Sequence, residues 1–213
     1  MPIDTETSQR AAIRHDEILG QPPRIAPQPR AAVAAQVQAA TQKLRGNVIN
    51  GAAPLPLEAI PEIMFTMCRF PALWDRLVEL TIQIQGPDSV LPARDRKLAI
   101  LRTGWLCQAP YEFGEHVKQA RRLGFAPEEI ERIVTGSAAP GWNDHERAIL
   151  QAAEELHQGA MISDGTWARL AQQLGEHQLF ELVVLIGQFT ATAYFQNALR
   201  LRLEPGNDGL ASR

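Results

Sequence analysis

The sequence predicts an all-α protein, and three observations carry that prediction. From residue 57 onward apolar residues recur at helical spacing. Prolines and capping residues fall where helices would start. No segment alternates apolar and polar residues as a half-buried strand would. The chain has 213 residues, enough for one cored domain with an appended arm.

Residues 1–30 read as an extended arm, because Pro22, Pro23, Pro27 and Pro29 fall within eight positions between polar stretches. Ala31–Leu44 has no Gly or Pro and is rich in Ala and Gln, a good helix that needs a partner surface. Gly46–Pro56 is a loop. Leu57–Met67 is expected as one helix and Pro71–Gln85 as the next, with Leu73, Leu77 and Leu80 on one face. Gly86-Pro87-Asp88 breaks the pattern. Pro92 opens a helix to Cys107, in which Leu98, Leu101 and Trp105 share a face. Tyr111–Leu123 follows, ended by Gly124. Pro127-Glu128-Glu129 is a proline-plus-acid first turn of a helix to Thr135. Asn143 and Glu146 form a capping box for a helix to His157. Ser163 or Asp164 caps another through Leu174. The last helix runs from Glu176 to about Leu203, with Leu179, Leu182, Val183, Ile186, Phe189 and Ala193 as its apolar stripe. Gly187 and Ala191, one turn apart on it, leave room for a second helix. These elements divide the chain into an arm and Ala-rich helix (1–49), a helical domain (50–205) and a tail (206–213).

Composition narrows function. Apolar residues make up 45%, as in ordinary globular chains. The net charge of -3, from 21 basic and 24 acidic residues, offers no general attraction to nucleic acid or an anionic membrane. Arg121-Arg122 and Arg200 with Arg202 read as solvated helix surface. No apolar run approaches the roughly 20 residues that span a bilayer. Met1–Arg10 is polar and does not read as a secretory signal. Cys68 and Cys107, far apart, make a poor disulfide framework and point to a reducing cytoplasm.

The segment from Cys107 to His116 holds the candidate chemistry. Glu112 and His116 are four apart and share a helical face. A carboxylate beside an imidazole can raise its pKa and make a proton donor near neutral pH. Such pairs are also common on exposed helices, so the reading requires a cavity beside them. Glu115 points elsewhere, into solvent. His145, His157 and His177 lie on separate elements, and Glu154 with His157 lacks the second Glu-x-x-His of a di-iron bundle, so no metal or other cofactor is expected.

Leu91-Pro92-Ala93-Arg94-Asp95-Arg96, Ile100-Leu101-Arg102 and Tyr111-Glu112-Phe113 with His116 then appear in order. Gly124 to Ile130, Trp142, Glu154-Glu155-Leu156-His157 and Gly187-Gln188-Phe189 follow. From about Leu57 to Leu203 the chain resembles the carboxymuconolactone decarboxylase-like family, whose fold is the helical bundle of the alkylhydroperoxidase D type. Phe113 stands where that family usually has Trp. The family's peroxidase branch uses Cys-x-x-Cys-x-x-x-His with a Glu upstream. Aligned on His116, its cysteine positions are Ala109 and Glu112, and its Glu position is Lys97. Without that thiol pair, dithiol peroxide reduction is unsupported here, and Cys107 reads as a buried filler.

The resemblance implies a cofactor-independent decarboxylase, or a related lyase or isomerase, acting on a small carboxylated lactone-type acid. His116 would transfer the proton and Glu112 would orient it. Arg102 or Lys97 would hold a substrate carboxylate, and Trp105, Tyr111 and Trp142 would wall the pocket. As large aromatics these three serve equally as core. The resemblance also implies a homo-oligomer, trimer or hexamer, with sites near subunit interfaces. Two alternatives stand beside it: an antioxidant hydroperoxidase, and a non-catalytic helical ligand-binding or scaffold protein.

Overall fold

The computed structural model describes residues 5–48 and 53–212. The arm's first residues 1–4, the loop positions 49–52 and the last tail residue 213 lie outside them. Among the described residues there is no strand, and ten α-helices follow one another: α1 (Thr5–Leu19), α2 (Ala34–Val48), α3 (Glu62–Met67), α4 (Pro71–Gln85), α5 (Ala93–Leu106), α6 (Pro110–Arg122), α7 (Pro127–Thr135), α8 (Asp144–Gly159), α9 (Asp164–Leu170) and α10 (Glu176–Leu199). The fold is all-α, as expected. The chain forms two compact units, Pro23–Val90 and Met1–Pro22 with Leu91–Arg213, which divide it elsewhere than at 49/50 and 205/206.

In the unit Pro23–Val90, α2 packs on α3 and α4 and buries Val37 and Thr41, one turn apart. Arg30 ties the entry segment down by donating to the carbonyls of Leu57 (2.9 Å) and Ile60 (3.1 Å), with its guanidinium over the Phe65 ring. The single helix expected over Leu57–Met67 is two pieces, a 3-10 turn at Leu57–Ala59 and then α3. Pro61 between them has no N–H to continue the ladder and holds Ile60 extended.

The other unit is built around α5. Every position from Lys97 to Trp105 is buried, so neighbours surround this helix on all sides. It packs on α6, α7, α8 and α10. Such a helix is ordinarily apolar throughout, yet this one carries Lys97, Arg102 and Thr103. Each must find partners inside or destabilise the fold.

The arm departs from expectation. Thr5–Leu19 is a helix rather than an extended strand of chain. The four prolines begin only at residue 22, and Thr5–Leu19 itself contains no Gly or Pro. Ala11 and Ala12 favour helix, and Arg14 pairs with Glu17 at 2.9 Å. Arg202, expected as solvated surface, donates to the carbonyls of Leu19 (2.5 Å) and Gln21 at its end.

The segment 206–212 is likewise packed rather than a free tail. Asn207 donates to the Tyr111 carbonyl and to Glu115, both at 3.0 Å, and Leu210 is buried. Gly114 makes this possible, since a Cβ there would sit 1.8 Å from Asn207 Oδ1.

The remaining helices follow their signals closely. Asn143 Oδ1 accepts from the Glu146 N–H at 2.8 Å, and the Glu146 carboxylate accepts from the Asn143 N–H at 3.3 Å. α9 stops at Leu170, and α10 ends at Leu199 because Arg200 turns left-handed (φ 56°). α10 is long and apolar enough by length and composition to cross a membrane, contrary to the expectation of no such run. One face of it packs on α5 and α6. The opposite face leaves Phe180 and Tyr194 exposed.

Candidate active site

The turn between α5 and α6 aims the site. Gln108 adopts a left-handed conformation (φ 48°), unusual for a residue with a side chain. Asn197 on α10 holds it by donating to the carbonyls of Cys107 (3.2 Å) and Gln108 (3.3 Å). Pro110 then opens α6, and the first two turns of α6 face α5.

On that face Glu112 and His116 are buried (3% and 6% exposed). Lys97 joins them from α5, also buried, with its Nζ 2.7 Å from His116 Nδ1 and 2.9 Å from Gln119 Oε1. A charged ammonium can only donate, so Nδ1 accepts and the ring proton lies on Nε2. His116 Nε2 is 3.1 Å from Glu112 Oε1, an ion-pair distance without hydrogen-bond alignment. Glu112 Oε2 accepts from Gln196 Nε2 at 2.8 Å, and Phe189 meets the His116 ring edge-on at 5.1 Å. The result is a buried line Lys97–His116–Glu112–Gln196, in which Glu112 Oε1 and Gln196 Oε1 have no aligned donor. Buried acceptors are nearly always partnered, so these two are positioned to take a donor from a water or a ligand.

The electrostatics reverse one expectation. His116 does not titrate upward. Burial, then the neighbouring Lys97 charge, push its pKa down and outweigh Glu112, which pulls it up. The imidazole is neutral at pH 7. Lys97 is the group brought to the physiological range. Burial drives its pKa down to about 7, opposed by the Glu112 carboxylate and helped by Arg96.

The other candidate residues are placed elsewhere. Arg102 is committed to structure: its Nε donates to Glu154 at 2.9 Å and its NH1 to the carbonyls of Ile133 (2.9 Å) and Val134 (2.7 Å), at the end of α7. Trp142 donates to the Gly136 carbonyl at 3.1 Å beneath the Arg132 guanidinium. Tyr111 donates to Glu204 at 3.0 Å, on the C-terminal segment. Trp105 stacks obliquely on Phe113, which is fully buried in the core. Glu115, expected in solvent, is paired with Lys118 and Asn207. Cys107 is half-buried, 3.9 Å from His157 Nδ1, and burial pushes its thiol upward, as it does that of Cys68.

Sequence reasoning overlooked Gln119 and Gln196. Gln119 lies three residues after His116, on the same face, and was findable by spacing. Gln196 is brought in only by the packing of α10. Among the described residues no group of three His, Cys, Asp or Glu side chains converges as a metal site would. An open apolar groove of about 690 Å³ lies apart from these residues, between α9 and α10, lined by Trp167, Leu174, Phe180 and Val183.

Residues 69–155 match the carboxymuconolactone decarboxylase family. No curated protein matches the chain. Solved structures match it in fold. An antioxidant-defence-type AhpD protein of unknown function from Agrobacterium tumefaciens superposes with a TM-score of 0.60 at 19% identity, covering 65% of this chain and 94% of that one. The debrominase Bmp8, a cysteine-to-alanine variant holding 2,3,4-tribromopyrrole, gives 0.71 at 16% identity, covering 88% and 95%. An uncharacterised peroxidase-related protein with the AhpD core, from Ralstonia eutropha JMP134, gives 0.71 at 13% identity, covering 87% and 94%. At these identities the likeness is one of fold. Residues 69–155 thus carry a match to the carboxymuconolactone decarboxylase family within a helical fold shared with AhpD-core proteins.

Proposed function

We propose that the protein is a cofactor-independent acid/base enzyme, a decarboxylase or related lyase or isomerase acting on a small carboxylated lactone-type acid in the cytoplasm. The observation that carries this reading is the buried Lys97–His116–Glu112–Gln196 line with its two unpartnered acceptors. Loss of CO2 leaves an electron pair that must be delocalised and then protonated. A buried proton-transfer line does this without metal or organic group. Water exclusion strengthens each interaction along the line. Glu112 Oε1 is the atom through which the proton reaches substrate, and the ring of His116 hands that proton along.

Arg102 cannot serve as carboxylate anchor while it holds Glu154 and the end of α7, and Lys97 is turned to His116 and Gln119, which leaves the substrate's acid group to a neighbouring subunit. A homo-oligomer, trimer or hexamer, is part of this proposal. It draws support from α10, whose outer face carries Phe180 and Tyr194 exposed beside Gly187 and Ala191. The tribromopyrrole held by one fold neighbour is in keeping with a small cyclic ligand.

The test is turnover of 4-carboxymuconolactone by purified protein. His116→Ala and Glu112→Gln are each expected to lower it at least tenfold, about 1.4 kcal/mol of barrier. Wild-type rates from both folded variants would end the acid/base assignment.

A further inference from the structure

Among all buried ionisable groups, Lys97 stands out by where its nitrogen points. Its Nζ does not meet a carboxylate. It meets the imidazole Nδ1 at 2.7 Å and an amide oxygen, Gln119 Oε1, at 2.9 Å. The far nitrogen of the same ring lies 3.1 Å from Glu112 Oε1, an oxygen without an aligned donor. An amine, a two-sided ring and a carboxylate are therefore in series.

We propose that Lys97 is the proton reservoir of the site and loads Glu112 through the His116 ring. This rests on the acid/base reading above and deepens it. In the resting state Lys97 is an ammonium, His116 carries its proton on Nε2 and Glu112 is a carboxylate. In the transfer, one Lys97 N–H breaks as the Nδ1 lone pair forms a new N–H. The ring turns to aim Nε2–H at Glu112 Oε1, and that N–H then breaks as Oε1 forms O–H. The products are a neutral amine, the Nδ1–H form of the imidazole and a carboxylic acid. The ring is neutral before and after, as its burial requires. Glu112 gives its proton to the carbon from which CO2 has left and returns to carboxylate. Decarboxylation consumes one proton per turnover: in the reset the Nδ1–H breaks as its proton returns to the Lys97 amine, and Nε2 takes a proton from water, which restores the ammonium and the Nε2–H ring.

The groups facing this line support that direction of flow. From α6 come Glu112, Glu115 and Gln119; from α5, Arg96; from α10, the uncharged Gln196 and Phe189. Arg96 and burial loosen the lysine proton, and Glu112 keeps it from being lost outright. Lys97 acts through His116, so it is a positioning residue for the proton rather than a group touching substrate.

Two measurements test this. The first uses substrate-free wild-type protein, with nitrogen and carbon NMR of the Lys97 side chain and the His116 ring. Between about pH 6 and 8 the Lys97 amine is expected to discharge, with its midpoint at about 7, while the ring titrates below the ordinary imidazole value. An amine charged throughout that range, or a ring that charges before the amine discharges, overturns the proposal. The second follows 4-carboxymuconolactone turnover against pH. Wild-type turnover is expected to fall as pH rises through about 7. In Lys97→Arg, whose guanidinium keeps its proton, turnover drops at least tenfold and the inflection disappears. Wild-type turnover and an unchanged inflection in Lys97→Arg would show a merely structural cation and sink the reservoir. An intact NMR titration with no turnover by the wild type would instead reject the substrate while leaving the relay standing.

Discussion

Lys97 and Arg102 are both buried cations on α5, and the sequence offers both as anchors for a substrate carboxylate. Their surroundings differ in one respect that decides their use. Around Arg102 the hydrogen bonding is closed. Glu154 accepts from Arg102 Nε and from the Ser137 N–H (2.8 Å) and hydroxyl (2.5 Å), and the guanidinium also holds two carbonyls at the end of α7. Around Lys97 it is open. The amine is paired with a ring and an amide rather than an acid, and two acceptors further along lack donors. A saturated cluster fixes geometry. An unsaturated one, with a cation shifted toward neutrality, is free to exchange protons with a ligand.

That contrast is broken or sharpened most strongly at Arg102. Arg102→Met leaves Glu154 without its cation and the carbonyls of Ile133 and Val134 without this donor. It should cost about 3 kcal/mol in urea unfolding while leaving turnover per folded molecule unchanged. A small stability loss with a large activity loss would transfer Arg102 to the functional cluster.

Lys97→Met should act oppositely, with a pH signature. The folded value of about 7 lies below the ordinary 10.5, so between these the unfolded chain binds more protons and wild-type stability rises with pH. The cost of burying the charge is fully present below about 7 and gone above about 10.5. The methionine variant should therefore gain about 2 kcal/mol on wild type at acid pH, shrinking steadily as pH rises. A pH-independent difference would mean that Lys97 keeps its ordinary pKa in the fold.

Trp142→Phe removes one donor to the Gly136 carbonyl and should cost about 1 kcal/mol with no effect on turnover. The smallest effect is expected from the cysteines. Replacing both Cys68 and Cys107 by Ser should leave any peroxide turnover unchanged, since burial disfavours both thiolates. Complete loss would restore the hydroperoxidase reading.

Much of the candidate site, as proposed, was legible in sequence. Glu112 and His116 at one-turn spacing, and Lys97 at the position where the family's peroxidase branch has Glu, were all named from residue order. What could not be read was direction. Spacing sets Glu112 beside His116 and suggests a raised imidazole pKa, but burial and a lysine nineteen residues earlier reverse the sign. Trp142 and Tyr111 are large aromatics near the motif in sequence, yet their polar ends are turned to α7 and to the C-terminal segment.

The sequence by itself determined the all-α class, the caps at Asn143 and Ser163, the proline starts of α4, α6 and α7 and the absence of a Cys-x-x-Cys pair. These depend on neighbours within a turn or two, where propensity and capping act. Tertiary structure alone decided that Arg102 is structural, that Gln196 completes the line and that the C-terminal segment closes over Gly114. Partners 84 or 92 residues apart, such as Gln196 with Glu112 or Asn207 with Glu115, meet only when helices pack. The pKa of a buried group likewise follows from the dielectric and charges that such packing assembles.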